Sequence, residues 1–115
     1  MIINNEKGSI EITNDVFTVI AGDAATKCFG VRGMADRNMK DGIVSLLKRE
    51  NMSKGVKVAF DEGHINIEVH IIVDHGVNIT AICDSIINEV RYNVERLTNV
   101  AVGNVDVRVD SIMTE

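Results

Sequence analysis

Hydrophobic positions recur along this chain with two periods, and the switches between them mark its elements. Residues 9–13, Ser-Ile-Glu-Ile-Thr, alternate polar and apolar, which predicts a short first strand. Val16, Ile20, Ala24 and Cys28 then recur at helical spacing, with Phe17 and Ala21 beside them. Asn14 or Asp15 is placed to cap this helix, and Gly30 to end it in a left-handed turn. From Val31 to Lys54 the pattern weakens. Ile43, Leu46 and Leu47 have the spacing of a short amphipathic helix, which Gly55 breaks.

From Val56 the period is two. Val56, Val58 and Phe60 share one face, as do Ile65, Ile67, Val69, Ile71 and Val73, with Glu62-Gly63 between the runs. Glycine in second place of a two-residue loop suits a tight hairpin turn. Asp61 then pairs with His64, Phe60 with Ile65, Val58 with Ile67 and Val56 with Val69. On the other face Lys57 falls opposite Glu68, a charge-complementary cross-strand pair, so two independent patterns select one register. After the turn Asp74-His75-Gly76, Asn78 caps a helix of about 20 residues whose stripe is Ile79, Ile82, Cys83, Ile86, Ile87, Val90, Val94 and Leu97. Arg91 and Glu95, four apart, fall on its wet side. Val105, Val107 and Val109 alternate with Asp106, Arg108 and Asp110 in a last strand. Val100 and Val102 are out of phase with them, so Gly103-Asn104 marks a bulge.

The element order is therefore β-α-(short α)-β-β-α-β. Each helix has one apolar stripe and each strand one apolar face. The fold class this predicts is α+β in two layers, with the helices on one face of a four-stranded mixed sheet. The 115 residues make one domain, 45% of them hydrophobic but only 3% aromatic, so the core is built from Val, Ile and Leu. No apolar run exceeds three residues, Ile71-Ile72-Val73 among them, which is too short to span a bilayer, and the first residues lack a signal-peptide pattern. These features predict a cytoplasmic protein with reduced thiols and no direct membrane insertion.

The net charge of −5 argues against a general nucleic-acid binder, but it is uneven. Residues 27–57 hold eight basic and three acidic side chains, a net of +5, which leaves −10 for the rest. Inside that stretch lies Gly30-Val31-Arg32-Gly33. A G-x-x-G loop between two helices is how K-homology domains clamp a nucleic-acid backbone. Gly30, Arg32, Gly33, Arg37 and Lys40 are thus a candidate anion- or partner-binding loop, and nucleic-acid binding stays open as an alternative. Gly30 is equally explained as a helix terminator.

Chemistry is sparse. His64 sits at the hairpin turn, His75 in the turn before the long helix, and His70 on the polar sheet face beside Glu68; none has a Cys or second His at metal-ligand spacing. Cys28 and Cys83 fall on apolar stripes, where a thiol behaves as a small hydrophobe. No phosphate loop, dinucleotide fingerprint or Ser-His-Asp set is present. No catalytic residue, cofactor or metal is expected. The expectation is an interaction module that self-associates through the sheet face the helices leave open, carrying Lys57, Glu68, His70, Ile72 and Arg108.

Several segments in order carry a family resemblance over nearly the whole chain. They are Gly8-Ser9-Ile10-Glu11-Ile12, Cys28-Phe29-Gly30-Val31-Arg32-Gly33-Met34, Lys54-Gly55-Val56-Lys57-Val58, Ile67-Glu68-Val69-His70-Ile71-Ile72-Val73, His75-Gly76-Val77-Asn78-Ile79, Val94-Glu95-Arg96-Leu97-Thr98-Asn99-Val100 and Val105-Asp106-Val107-Arg108-Val109. The set resembles the alkaline shock (Asp/Gls), or envelope stress response, family of Gram-positive bacteria, in its short stand-alone subgroup. The resemblance implies an abundant cytoplasmic protein linked to cell-envelope stress and lacking established enzymatic activity. It also implies protein partners. One is a membrane-anchored protein that gathers some members beneath the membrane; separately, a gene for a kinase of the dihydroxyacetone or fatty-acid type often lies beside those of the subgroup, which implies a functional link.

Overall fold

The hairpin has the register that its two patterns select. In the computed structural model, which describes residues 1–36 and 54–114, β4 (Val56–Asp61) pairs antiparallel with β5 (His64–Asp74). Phe60 meets Ile65, Val58 meets Ile67, Val56 meets Val69 and Lys57 meets Glu68. Glu62 and Gly63 both have positive φ, 45° and 87°, the backbone of a type I′ turn whose twist matches that of the strands.

Strand β5 is the spine of the sheet. Along one edge runs β6 (Ala101–Met113), parallel to it from His64 to Asp74. Its other edge is shared end to end by β4, at His64–Val69, and by β3 (Val31–Met34), at Ile71–Val73. The amide of Ala35 extends β3 by bonding the His70 carbonyl at 2.9 Å. The sheet is four-stranded and mixed, but its membership differs from the expectation. The predicted first strand is β2 (Gly8–Glu11), and it pairs instead with β1 (Ile2–Asn5) in a separate hairpin. The fourth place belongs to β3, whose four residues show no alternation and whose pairing slips between Val31 and Gly33. The short helix expected around Ile43–Leu47 lies outside the described residues.

Two helices cover one face. In α1 (Asn14–Thr26) the buried row is Phe17, Ala21, Ala24 and Ala25, one residue round from the expected row, with Val16 exposed and Ile20 half-buried. Small side chains at Ala21, Gly22, Ala24 and Ala25 let the helix sit close, and Phe17 fills the gap edge-on to Phe60, ring centres 5.6 Å apart. The residue at the cap position is Thr13 and not Asn14 or Asp15, and its side chain makes no capping hydrogen bond. In α2 (Ile79–Thr98) the Asn78 side chain does accept from the Ala81 amide, at 3.0 Å. The buried row is Ile82, Ile86, Val90 and Val94; Leu97, expected in it, is exposed. Every odd residue of β5 from Ile65 to Val73 is buried against these rows. Each such side chain contributes roughly 1.5–3 kcal/mol.

The bulge at Gly103-Asn104 is present: Ile65 pairs with Val102 but Ile67 with Val105. A Cβ on Gly103 would stand 2.4 Å from the Asn66 side-chain oxygen, which itself accepts from the Asn104 amide at 2.8 Å. Arg91 and Glu95, expected on the wet side of α2, reach this region instead. Arg91 donates to the carbonyls of Val102 and Gly103 at 2.6 and 2.7 Å, and Glu95 accepts from the Val102 amide at 3.0 Å. Together they satisfy backbone groups where the ladder is interrupted. Arg91→Ala removes two charge-assisted bonds and should cost about 2 kcal/mol in chemical denaturation, whereas Arg96→Ala on the same helix should cost much less. Equal losses would show that the clamp contributes nothing.

Candidate functional site

Alternation in β5 sends its even residues to the face away from the helices, and a polar cluster stands there. The His70 ring lies between two carboxylates: Nδ1 is 2.8 Å from Asp110 Oδ2 and Nε2 is 2.9 Å from Glu68 Oε2. Arg108, paired with His70 in the ladder, brings Nε to 3.6 Å from the other Glu68 oxygen. Lys57 lies opposite Glu68 from β4. Each ring nitrogen thus has a carboxylate oxygen within hydrogen-bond distance, which fixes the orientation of the imidazole. Its side chain is only 16% exposed. The Glu68 carboxyl is held below its usual range, first by the hydrogen bond from His70, then by the charges of His70, Arg108 and Lys57, with partial burial acting the other way.

Asp110 joins the cluster through a second irregularity in β6. Ile71 pairs with Val109 and Ile72 with Ser111, so Asp110 is the extra residue. Beside the cluster is a shallow depression of about 160 Å³ lined by Lys57, Ala59, Asn66, Ile67, Glu68 and Asp106. Of the five residues expected on this face, Lys57, Glu68, His70 and Arg108 come together as read. Ile72 does not contribute to an exposed surface: it is 2% exposed, on a stretch of β5 with a strand on each edge, between Gly33 and Ser111.

The candidate G-x-x-G loop is not a loop between helices. Gly30, at φ 90°, lies in the turn after α1, and Gly33 lies inside β3 against Ile72. A backbone clamp of the K-homology kind needs free amides at that point, and this one is in a sheet ladder. Arg32 is taken up by Asp74, Nε to Oδ1 at 2.8 Å, which fastens β3 to the end of β5. Arg37 and Lys40 lie outside the described residues. His64 is 3.9 Å from Asp61, and His75 is exposed. Cys28 and Cys83 are half-buried rather than enclosed in the core. Burial pushes both thiols up, helped by Glu89 at Cys28 and by Asp84 at Cys83. Among the described residues no group of three or more His, Cys, Asp or Glu is arranged to hold a metal ion.

Sequence reasoning missed a cleft of about 390 Å³ between the helices, lined by Ala24, Lys27, Cys28, Phe29, Ile82 and Glu89 among others. Phe29, 91% exposed, stands at its rim. Helical periodicity alone does not reveal where two helices part.

Residues 2–114 match the model of the Asp23 family, described by its cell envelope-related function. The chain belongs to the Asp23 family. (The family name has no connection with residue Asp23 of α1.) This is the alkaline shock family that the ordered segments resemble, and membership assigns the chain a cell envelope-related function. This Asp23-family chain is 35% identical over 111 residues to the protein YloU of Bacillus subtilis (strain 168), covering 96% of this chain and 92% of that one. It is 36% identical over 111 residues to Spy1614 of Streptococcus pyogenes serotype M6, with the same coverage of 96% and 92%. To YqhY of Bacillus subtilis it is 31% identical over 105 residues, covering 91% of this chain and 77% of that one. No solved structure matches it. No helix among the described residues is long and apolar enough to cross a membrane.

Because the folded-state value of Glu68 lies below its ordinary 4.5, the stability it contributes is complete above that value and is lost as pH falls through the lower folded value. The denaturation midpoints of the native protein and Glu68→Gln should therefore differ at pH 7 and converge as pH falls below about 4.5. A gap that stays constant down to acid pH would mean that the His70 contact does not hold this carboxylate.

Proposed function

We propose that this Asp23-family chain serves the cell envelope as a contact module rather than an enzyme, meeting protein partners and further copies of itself through the open face of the sheet. The observation that carries the reading is the cluster on that face: His70 between Glu68 and Asp110, with Arg108 and Lys57 at its border. Charges of both signs, held in fixed positions on a flat surface, favour a polar and self-complementary contact.

The same groups fit catalysis poorly. Both ring nitrogens of His70 are already engaged by carboxylates, which leaves neither open to a substrate. Thiols raised by burial are poor nucleophiles at neutral pH. The partners we assign are protein partners, a membrane-anchored one among them, and a kinase of the dihydroxyacetone or fatty-acid type as a functional neighbour. A cytoplasmic position close to the membrane through such a partner follows from the same reading. Nucleic acid ranks below these, since Arg32 is committed to Asp74 and Gly33 to the sheet.

Ala59 is exposed at the shallow depression on this face, which Lys57 and Glu68 of the cluster also line. Ala59→Arg should leave the fold intact and obstruct the face. In sedimentation across a range of concentrations, the mean mass of the native protein should rise, and the rise should be smaller for Ala59→Arg. Identical curves for the two would overturn the open face as a contact surface.

A further inference from the structure

The sheet ends on an unusual edge. Strand β6 spans 13 residues, and β5 is its only strand neighbour among the described residues. Among the described residues no strand takes up its other edge, whose backbone donors and acceptors are what a further strand would pair with. Proteins commonly guard such an edge with proline, a run of one charge or a bulge. Here the two irregularities, at Gly103-Asn104 and at Asp110, fall at either end of a regular stretch, Val105–Val109. Within that stretch Val107 and Val109 point to the core side yet are only half-buried, as expected for a layer that stops at them.

The adjoining flank of α2 is similar. Arg91 reaches the start of β6, so the side of the helix one and two turns before it, carrying Ile87 and Cys83, lies toward this edge. Both are half-buried. The edge thus continues upward into a strip that is partly apolar.

The charges along the edge identify the strand that fits. On the open face Asp106 and Arg108 are exposed and flank Val107. An antiparallel copy related by a two-fold axis at Val107 would set Asp106 opposite the second copy's Arg108, and Arg108 opposite the second copy's Asp106. Val105 and Val109 would meet across the seam in the same way. Centring on Arg108 instead would oppose Arg108 to itself and Asp106 to Asp110. Centring on Val109 would require Asp110, which stands in the bulge and is held by His70. The regular stretch and the charge pattern therefore agree on one centre.

We propose that two copies of this chain join edge to edge through β6, antiparallel about Val107, into one continuous sheet with both α2 helices on the same side. The inference extends the contact-module reading with a second copy as partner, but it uses the edge of the sheet and not its open face.

The test removes the open face first. In an Ala59→Arg background, native mass spectrometry and sedimentation should still show a dimer. Adding either Asp106→Arg or Arg108→Asp places like charges opposite each other twice per dimer and should weaken it about tenfold or more. Combining Asp106→Arg with Arg108→Asp restores opposite pairs and should restore the dimer. Arginine at 106 also faces Glu68 within the chain, so that variant has no reason to unfold. A monomer in the Ala59→Arg background at every concentration would overturn the edge pairing while leaving the open-face reading standing. A dimer indifferent to Asp106→Arg, or not regained by the swap, would overturn it as well. Amide exchange on the native protein gives an independent check: Val105–Val109 amides should gain protection with rising concentration, and protection that does not change with concentration contradicts the proposal.

Discussion

Among the described residues strand β5 is the one strand with neighbours along both edges, and the other elements are positioned by it. Its odd residues, Ile65 to Val73, are buried under the helices, and its even residues therefore face the other way. A one-residue slip would exchange the two sets and bury Glu68 and His70. The burial of five branched aliphatic side chains thus fixes where the charged cluster stands. The parallel partner β6 must return from the far end of α2, which explains why that helix is long and why its Arg91 and Glu95 are spent on the start of β6.

Local periodicity made much of this legible. The hairpin register, the span of α2 with its Asn78 cap, and the Gly103 bulge each rest on contacts between residues close in sequence or on a phase slip within one strand. What was hidden depends on distant pairing. Val31–Met34 has too few residues and no alternation to announce a strand; only its alignment beside Ile71–Val73 makes it one. The residues Ile2–Asn5 include two asparagines, and their strand exists only opposite Gly8–Glu11. Arg91 and Glu95 obey helical spacing for a solvated pair, yet unsatisfied backbone groups nearby attract them more strongly than water does.

The candidate site divides in the same way. His70 beside Glu68 follows from alternation in one strand. Asp110 does not, because it reaches the ring only through the displacement at the second bulge. Ile72 lies on the face that alternation assigns to it but is buried there. Arg32 has the composition of an anion site and instead closes an ion pair with Asp74. Family membership gives the cell envelope-related setting.

The dependence on β5 is most directly tested by hydrogen exchange resolved at single amides. Bonded amides of Ile65–Val73 should exchange only on global unfolding, with free energies matching the denaturation value, while those of the Ile2–Glu11 hairpin should exchange through local opening. Amides in β5 exchanging as readily as those in that hairpin, under conditions where the protein is folded, would contradict it.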